Sequence, residues 1–247
     1  MAAKVITEFK GHSGCGVFLM GKRGNLFVRK TGNFQRNIQQ QKVLLENFYV
    51  PKIFNITESH VDMEYIHGLD MRSFLIAHPA NSLIDFLVST IKKFAAQSTS
   101  KNYSDSYTSF LTQFNYSQFP FVAQELVDKL PAVVPSGLYH GDLTLENIIY
   151  NTNMGFAMID CSVGIWDSYV FDLAKLRQDL HCKWFLRNNP AMLESKLGFI
   201  QNSILEEFPE ANNDATLILM LMRVLRYCKV GDPNYEFLIK EINKLWK

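Results

Sequence analysis

Asp142, Asn147 and Asp160 are three oxygen-bearing side chains in an order that suits phosphoryl transfer. That chemistry needs one carboxylate to orient the attacking hydroxyl and oxygen ligands to hold magnesium on the phosphates. In the string Tyr139-His140-Gly141-Asp142-Leu143-Thr144-Leu145-Glu146-Asn147, one short loop carries Asp142 as the proton acceptor and Asn147 as a metal ligand. From Asn147 to Ile159 the chain reads apolar, turn, apolar, which predicts a β-hairpin that brings Asp160 back to the loop as the second metal ligand. A lone Asp or Asn in a loop usually only shapes a turn. The ordered set, with the hairpin between its members, is what points to catalysis.

The elements that must position this set lie upstream. Gly11-His12-Ser13-Gly14-Cys15-Gly16-Val17 separates two strand candidates, Val5 to Phe9 and Val17 to Met20. A glycine-rich turn lets backbone N–H groups approach phosphate oxygens, so Gly11, Ser13, Gly14 and Gly16 are candidate nucleotide contacts. The turn is not a P-loop, because Val17 stands where that motif has lysine. A third strand, Leu26 to Lys30, follows the turn Gly21 to Asn25, and Asn37 to Asn47 reads as a helix with Val43, Leu44 and Ile38 inward.

Together these motifs resemble the aminoglycoside phosphotransferase and choline kinase family of protein-kinase-like enzymes. The resemblance extends to Ile159-Asp160-Cys161-Ser162, to Trp166 to Ala174, and to Val61 to Gly68. It implies an α+β, two-lobed protein-kinase-like fold, with residues 1–66 as a β-rich N-lobe containing one helix and 67–247 as a larger, mainly helical C-lobe. It further implies that Lys30 pairs with the α- and β-phosphates of ATP, that backbone groups from Glu64 to Ile66 read the adenine edge, and that His140 and Asp172 support the catalytic loop. Mg²⁺ would sit on Asn147 and Asp160. The chain departs from the family on the helix, where the register puts Gln40 in place of the glutamate that fixes the lysine. Gln40 can accept a hydrogen bond from Lys30 but supplies no ion pair. Glu46, the one acid on that helix, lies about one and a half turns later on a poorly matching face.

Composition bounds the remaining choices. The chain has 247 residues, 47% of them hydrophobic, enough for a substantial core. Its net charge of +1, from 25 basic and 24 acidic residues, argues neither for nucleic acid nor for a membrane surface as the main partner. Cys15, Cys161, Cys182 and Cys228 form no C-x-x-C pair, and no apolar signal segment follows Met1-Ala2-Ala3-Lys4, so reduced thiols and a cytoplasmic location are expected. The apolar stretch within Ala215 to Lys229 is too short for a membrane span and reads as a buried helix. Ser98 to Pro120, rich in Ser, Tyr, Asn and Gln, reads as a loop-rich insertion.

Asp160 and Asp172 are only twelve positions apart, too close for a protein kinase's activation loop, which favours a small-molecule acceptor. The segment after Asp172 carries Lys175, Arg177, His181, Lys183 and Arg187, so the expected acceptor is neutral or anionic, a sugar, polyol or related metabolite. Trp166, Tyr169 and Trp184 either stack on a sugar or pack in the core. The alternatives are a nucleotide-binding pseudokinase or scaffold, a choline-, ethanolamine- or aminoglycoside-type kinase, and a fold-sharing enzyme that transfers AMP to protein. Oligomeric state is not encoded in any motif.

Overall fold

The structure, a computed structural model, describes residues 3–9, 15–187 and 192–247. Its elements in chain order are β1 Lys4–Phe9, β2 Gly16–Lys22, β3 Asn25–Thr31, α1 Gln35–Leu45, β4 Ile53–Ile56, β5 His60–Glu64, β6 Leu69–Asp70, α2 Met71–Ala77, α3 Asn81–Ala95, β7 Thr99–Asn102, α4 Ser104–Leu111, α5 Ala123–Lys129, β8 Val133–Ser136, β9 Ile148–Asn151, β10 Gly155–Met158, α6 Tyr169–Leu180, α7 Glu194–Glu207, α8 Asp214–Leu225 and α9 Pro233–Leu245. They pack as two compact units, Met1–Phe74 with Glu146–Val163, and Leu75–Leu145 with Gly164–Lys247. The division differs from the 1–66 and 67–247 split expected from sequence, because the hairpin of β9 and β10 packs with the N-terminal unit.

The first unit is built on a five-stranded antiparallel sheet in the order β1-β2-β3-β5-β4. Its central hairpin turns at Arg23 and Gly24, both at positive φ (51° and 82°), the geometry whose twist matches paired strands. Alternation along β3 sends Val28 and Lys30 to one face and Phe27 and Arg29 to the other. On the first face Val28, Ile53, Val61 and Met63 pack against Phe34 and Ile38, which seats α1 on the sheet. On the second, Arg29 holds Asp62 through two bonds of 2.6 and 2.8 Å. Helix α1 turns Ile38 and Leu44 inward but leaves Val43 43% exposed, so the expected burial of Val43 is corrected: its inward face follows 38, 41 and 44.

A second sheet of this unit, β10-β9-β6, joins the hairpin to the segment after β5. Gly68 makes this possible. A Cβ there would meet the carbonyl oxygen of Tyr150 at 2.3 Å, while Asn151 Nδ2 donates to His67 O at 2.8 Å beside it.

The second unit is helical apart from the β7–β8 ribbon. Helices α6, α8 and α9 form its centre, and nearly every residue of α6 and α8 is buried. Ser168 caps α6 by accepting from Val170 N at 3.1 Å, and Asn213 caps α8 by accepting from Thr216 N at 2.9 Å. No helix among the described residues is long and apolar enough to cross a membrane. The loop expected over Ser98 to Pro120 is instead a strand and a helix. Tyr103, Tyr107, Phe110 and Leu111 recur at helical spacing and are buried, and Asp167 accepts from Lys101 Nζ (2.7 Å), Tyr103 Oη (2.8 Å) and Ser136 Oγ (3.1 Å). Trp166 stacks on Tyr107 at 5.7 Å, Tyr169 donates to Glu210, and Trp184 meets Phe237 edge-on, so all three are core residues.

Candidate active site

In the first unit, Lys30 ends the buried-face alternation of β3 and its ammonium is bonded to the Asp160 carboxylate, whose side chain is 50% exposed. Asp160 reaches this place through the β9–β10 hairpin. Its strands pair from Ile148↔Met158 to Asn151↔Gly155, and Ile159 N donates to Asn147 O at 2.9 Å, so Asn147 and Asp160 leave the same open end. Asp160 has φ +58°, a left-handed conformation that Asp tolerates better than most L-residues. A sparsely populated backbone state at a carboxylate is a mark of functional sites.

Helix α1 brings Asn37, Ile38 and Gln41 to a small pocket shared with Lys30, Asp160, Cys15 and Cys161. Gln41 Nε2 donates to Pro51 O at 2.6 Å. Lys30's described partner is Asp160; Gln41 lines the pocket with Lys30, and Gln40, the amide expected to meet it, is buried. Glu46 caps the helix end and is exposed. Burial pushes the Cys161 thiol up to about 12, so it is an inert core group.

Of the glycine turn, Gly11, Ser13 and Gly14 lie outside the described residues. Gly16 opens β2 so close to Phe18 and Thr31 that a Cβ would stand 2.7 Å from each side chain. At the end of β5, Glu64 N donates to Lys52 O at 2.8 Å, and Ile66 is buried two residues on. A wider hollow lined by Lys22, Phe27, Phe54, Asp62 and His67 lies on the sheet face opposite Lys30.

In the second unit the loop 140–145 is held by one face of α6. Asp172 accepts from His140 N at 2.6 Å through Oδ2, and from Gly141 N at 2.9 Å and Leu143 N at 3.3 Å through Oδ1. One turn on, Lys175 Nζ lies 3.0 Å from Asp142 Oδ1. One further turn brings Asp179, whose Oδ2 accepts from Leu145 N at 2.7 Å. Positions 172, 175 and 179 share a helix face by their spacing. His140 is buried and its Nδ1 accepts from Asp142 N at 3.3 Å. From α8, Arg223 donates to Gly141 O at 2.7 Å.

These neighbours set the charge state. Burial works to raise the Asp142 carboxyl, but Lys175, with Arg223 and His140 behind it, outweighs burial and holds it below the usual carboxylate value. Asp172 is the reverse case. Burial pushes its carboxyl up to about 7, against the pull of three backbone N–H groups and Arg223. Among the other cations of the expected basic cluster, Arg177 turns into the core to Asp214 at 2.8 Å, His181 is half-buried with its pKa lowered by burial and by Arg177, and Arg187 lies over Trp184. Lys175 is the member of that run with a described contact to Asp142.

No family model and no curated protein matches the chain. Solved structures do. Over 99% of its length the chain is similar to an apo crystal structure of a thermostable mutant of the aminoglycoside phosphotransferase APH(4)-Ia, at 9% identity and TM-score 0.72, covering 94% of that protein. The fold is protein-kinase-like. A further structure of that enzyme, in ternary complex with ADP and hygromycin B, matches at 11% identity and TM-score 0.67 over 99% of this chain and 95% of the other. Plasmodium vivax ethanolamine kinase matches at 12% identity and TM-score 0.58, over 100% of this chain and 82% of that one. At these identities the kinase-like likeness is one of fold.

Proposed function

We propose that the protein is an ATP-dependent phosphotransferase that moves the γ-phosphate to a hydroxyl of a small molecule. The observation that carries this reading is the Lys30–Asp160 pair, a partly exposed cation and carboxylate at the end of a kinase-type strand and hairpin. The ammonium suits phosphate oxygens, and the carboxylate, which already accepts one cation, suits a metal. Asn147 offers a second, neutral oxygen. Among the described residues no group of three or more His, Cys, Asp and Glu side chains is arranged to hold a metal alone. Mg²⁺ shared with substrate phosphates needs only one or two protein oxygens, so the donor set fits. Bound there, it would neutralise charge on the phosphates.

The chain's own residues then divide the work. Lys30 and the glycine turn take the phosphates, while Glu64 and Ile66 offer main-chain groups to adenine. Asp142 accepts the hydrogen bond of the acceptor hydroxyl and finally its proton, on a loop that Asp172 keeps in shape. Lys175 and Arg223 beside that loop disfavour a cationic group next to the reacting hydroxyl, which supports a neutral sugar- or polyol-like acceptor over choline or an aminoglycoside.

Incubating the purified chain with Mg²⁺ and γ-labelled ATP against sugars, polyols and amino alcohols tests this. Label on an alcohol is expected, and product mass separates phosphate from AMP transfer. Nucleotide binding without turnover would favour the pseudokinase reading, and efficient phosphorylation of choline or an aminoglycoside would reverse the acceptor class.

A further inference from the structure

Lys175 has the chemistry and the place of a functional residue, although it belongs to no motif. Its side chain is 5% exposed, and it sits in the middle of the buried helix α6. Enclosing an ammonium is expensive unless it is paired and hydrogen-bonded, and a well-packed apolar side chain usually serves stability as well or better. This ammonium is paired with the one carboxylate of the loop that faces chemistry, Asp142 Oδ1 at 3.0 Å, and it donates to Gln178 Oε1 at 3.1 Å. Gln178 lies one turn further on α6, so the ammonium is held by its own helix on one side and by the loop carboxylate on the other.

The same face carries Asp172, which grips the loop's N–H groups. The helix therefore sets the loop's main chain with one residue and its reactive side chain with another. Because α6 is buried along its length, the orientation of the Asp142 carboxylate is tied to the position of that backbone.

We propose that Lys175 is a positioning residue for the phosphoryl transfer proposed above, its buried ammonium clamping the Asp142 carboxylate in the orientation that receives the acceptor hydroxyl. The inference rests on the kinase reading. Among the described residues, the charged and titratable groups acting on Asp142 include Lys175 from α6, Arg223 from α8 and His140 from its own loop, with the Asp172 carboxyl behind that loop. Removing the lysine leaves burial less opposed at Asp142, so a loss of clamping is accompanied by a carboxyl that takes up protons at higher pH.

The test compares wild type, Lys175→Met and Lys175→Arg. Steady-state kinetics with ATP and the best acceptor are measured across pH, and the ¹³C titration of Asp142 is followed in aspartate-labelled protein, assigned through Asp142→Asn. Expected for Lys175→Met is a kcat lower by about 10²-fold, on the scale of a mispositioned base, with the KM for ATP within about threefold. The acid limb of kcat/KM and the Asp142 titration should both move to higher pH, and Lys175→Arg should recover most of both. A Lys175→Met enzyme with wild-type kcat overturns the proposal. So does a slow one whose acid limb and Asp142 titration stay in place and which Lys175→Arg does not rescue, since that pattern is merely structural. If Lys175→Met does not fold, Lys175→Arg with an unmoved Asp142 titration and a collapsed kcat overturns it equally. Wild type that transfers phosphate to no acceptor removes the kinase reading itself, which the variants cannot imitate.

Discussion

Lys30 bonds its ammonium to the carboxylate of Asp160, 130 positions further along the chain. The residue proposed for phosphate and the residue proposed for metal thus serve as each other's counter-ion. The pair is partly exposed, so screening limits it to about 0–1 kcal/mol. Its consequence is for ligand order rather than for stability.

Lys30→Ala should affect metal and nucleotide in opposite directions. Losing the tethered competitor should tighten Mg²⁺ alone by a few-fold, about the worth of an exposed pair. ATP should bind more weakly. Calorimetric titration of each ligand separately checks this, and equal weakening of both would show that Lys30 does not compete for Asp160.

At Asp160 two substitutions separate chemistry from backbone. Asparagine tolerates the left-handed region, so Asp160→Asn should abolish turnover with stability nearly unchanged. Asp160→Ala should lose turnover and in addition about 1–2 kcal/mol, the cost of that conformation for an ordinary L-residue. Urea denaturation of the two variants measures the difference.

Asp142→Asn keeps the shape of the carboxylate and removes the proton acceptor. Transfer should fall by ~10²- to 10⁴-fold. ATP affinity should stay close to that of wild type. A nearly unchanged rate at saturating acceptor would remove Asp142 from the chemistry.

The raised Asp172 carboxyl has a definite linkage sign. Between the ordinary carboxylate value of 3.8 and about 7 the folded state binds the proton and the unfolded state does not. The stabilisation this gives is complete below the lower value and lost as pH rises through the upper one. The span corresponds to roughly 4 kcal/mol at 1.36 kcal/mol per unit. Carboxyls held low, such as Asp142 and Asp167, act in the opposite sense, so the measurable quantity is a difference. Wild-type stability minus that of Asp172→Asn should shrink from pH 4 to pH 7, and a flat difference would show Asp172 ionised throughout.

What the sequence made legible was local. The hairpin from Ile148 to Met158 showed as two apolar runs around Asn151 to Gly155, and the third strand ending at Lys30 showed by its alternation, because both depend on neighbours in the chain. Ser98 to Pro120 reads as a loop because its composition is polar, although Tyr103, Tyr107, Phe110 and Leu111 carry a helical period. The strand Thr99–Asn102 has all four side chains exposed and pairs only through its main chain, so it had no hydrophobic signature. Gln40 and Gln41 are adjacent identical residues, and which one faces Lys30 depends on how α1 rolls on Val61 and Met63. Lys175 and Arg223 were visible only as a member of a basic run and as an interruption of an apolar helix. The spacing of Asp172, Lys175 and Asp179 on one face was the signal that could have singled the lysine out.

The absent side chain at position 68 limits how this molecule can be recombined. Its main chain touches the carbonyl of Tyr150 with no room for a methyl group between them. A 148–158 hairpin borrowed from another protein will seat here only against glycine, and a host with any larger residue at the matching place would have to exchange both segments together.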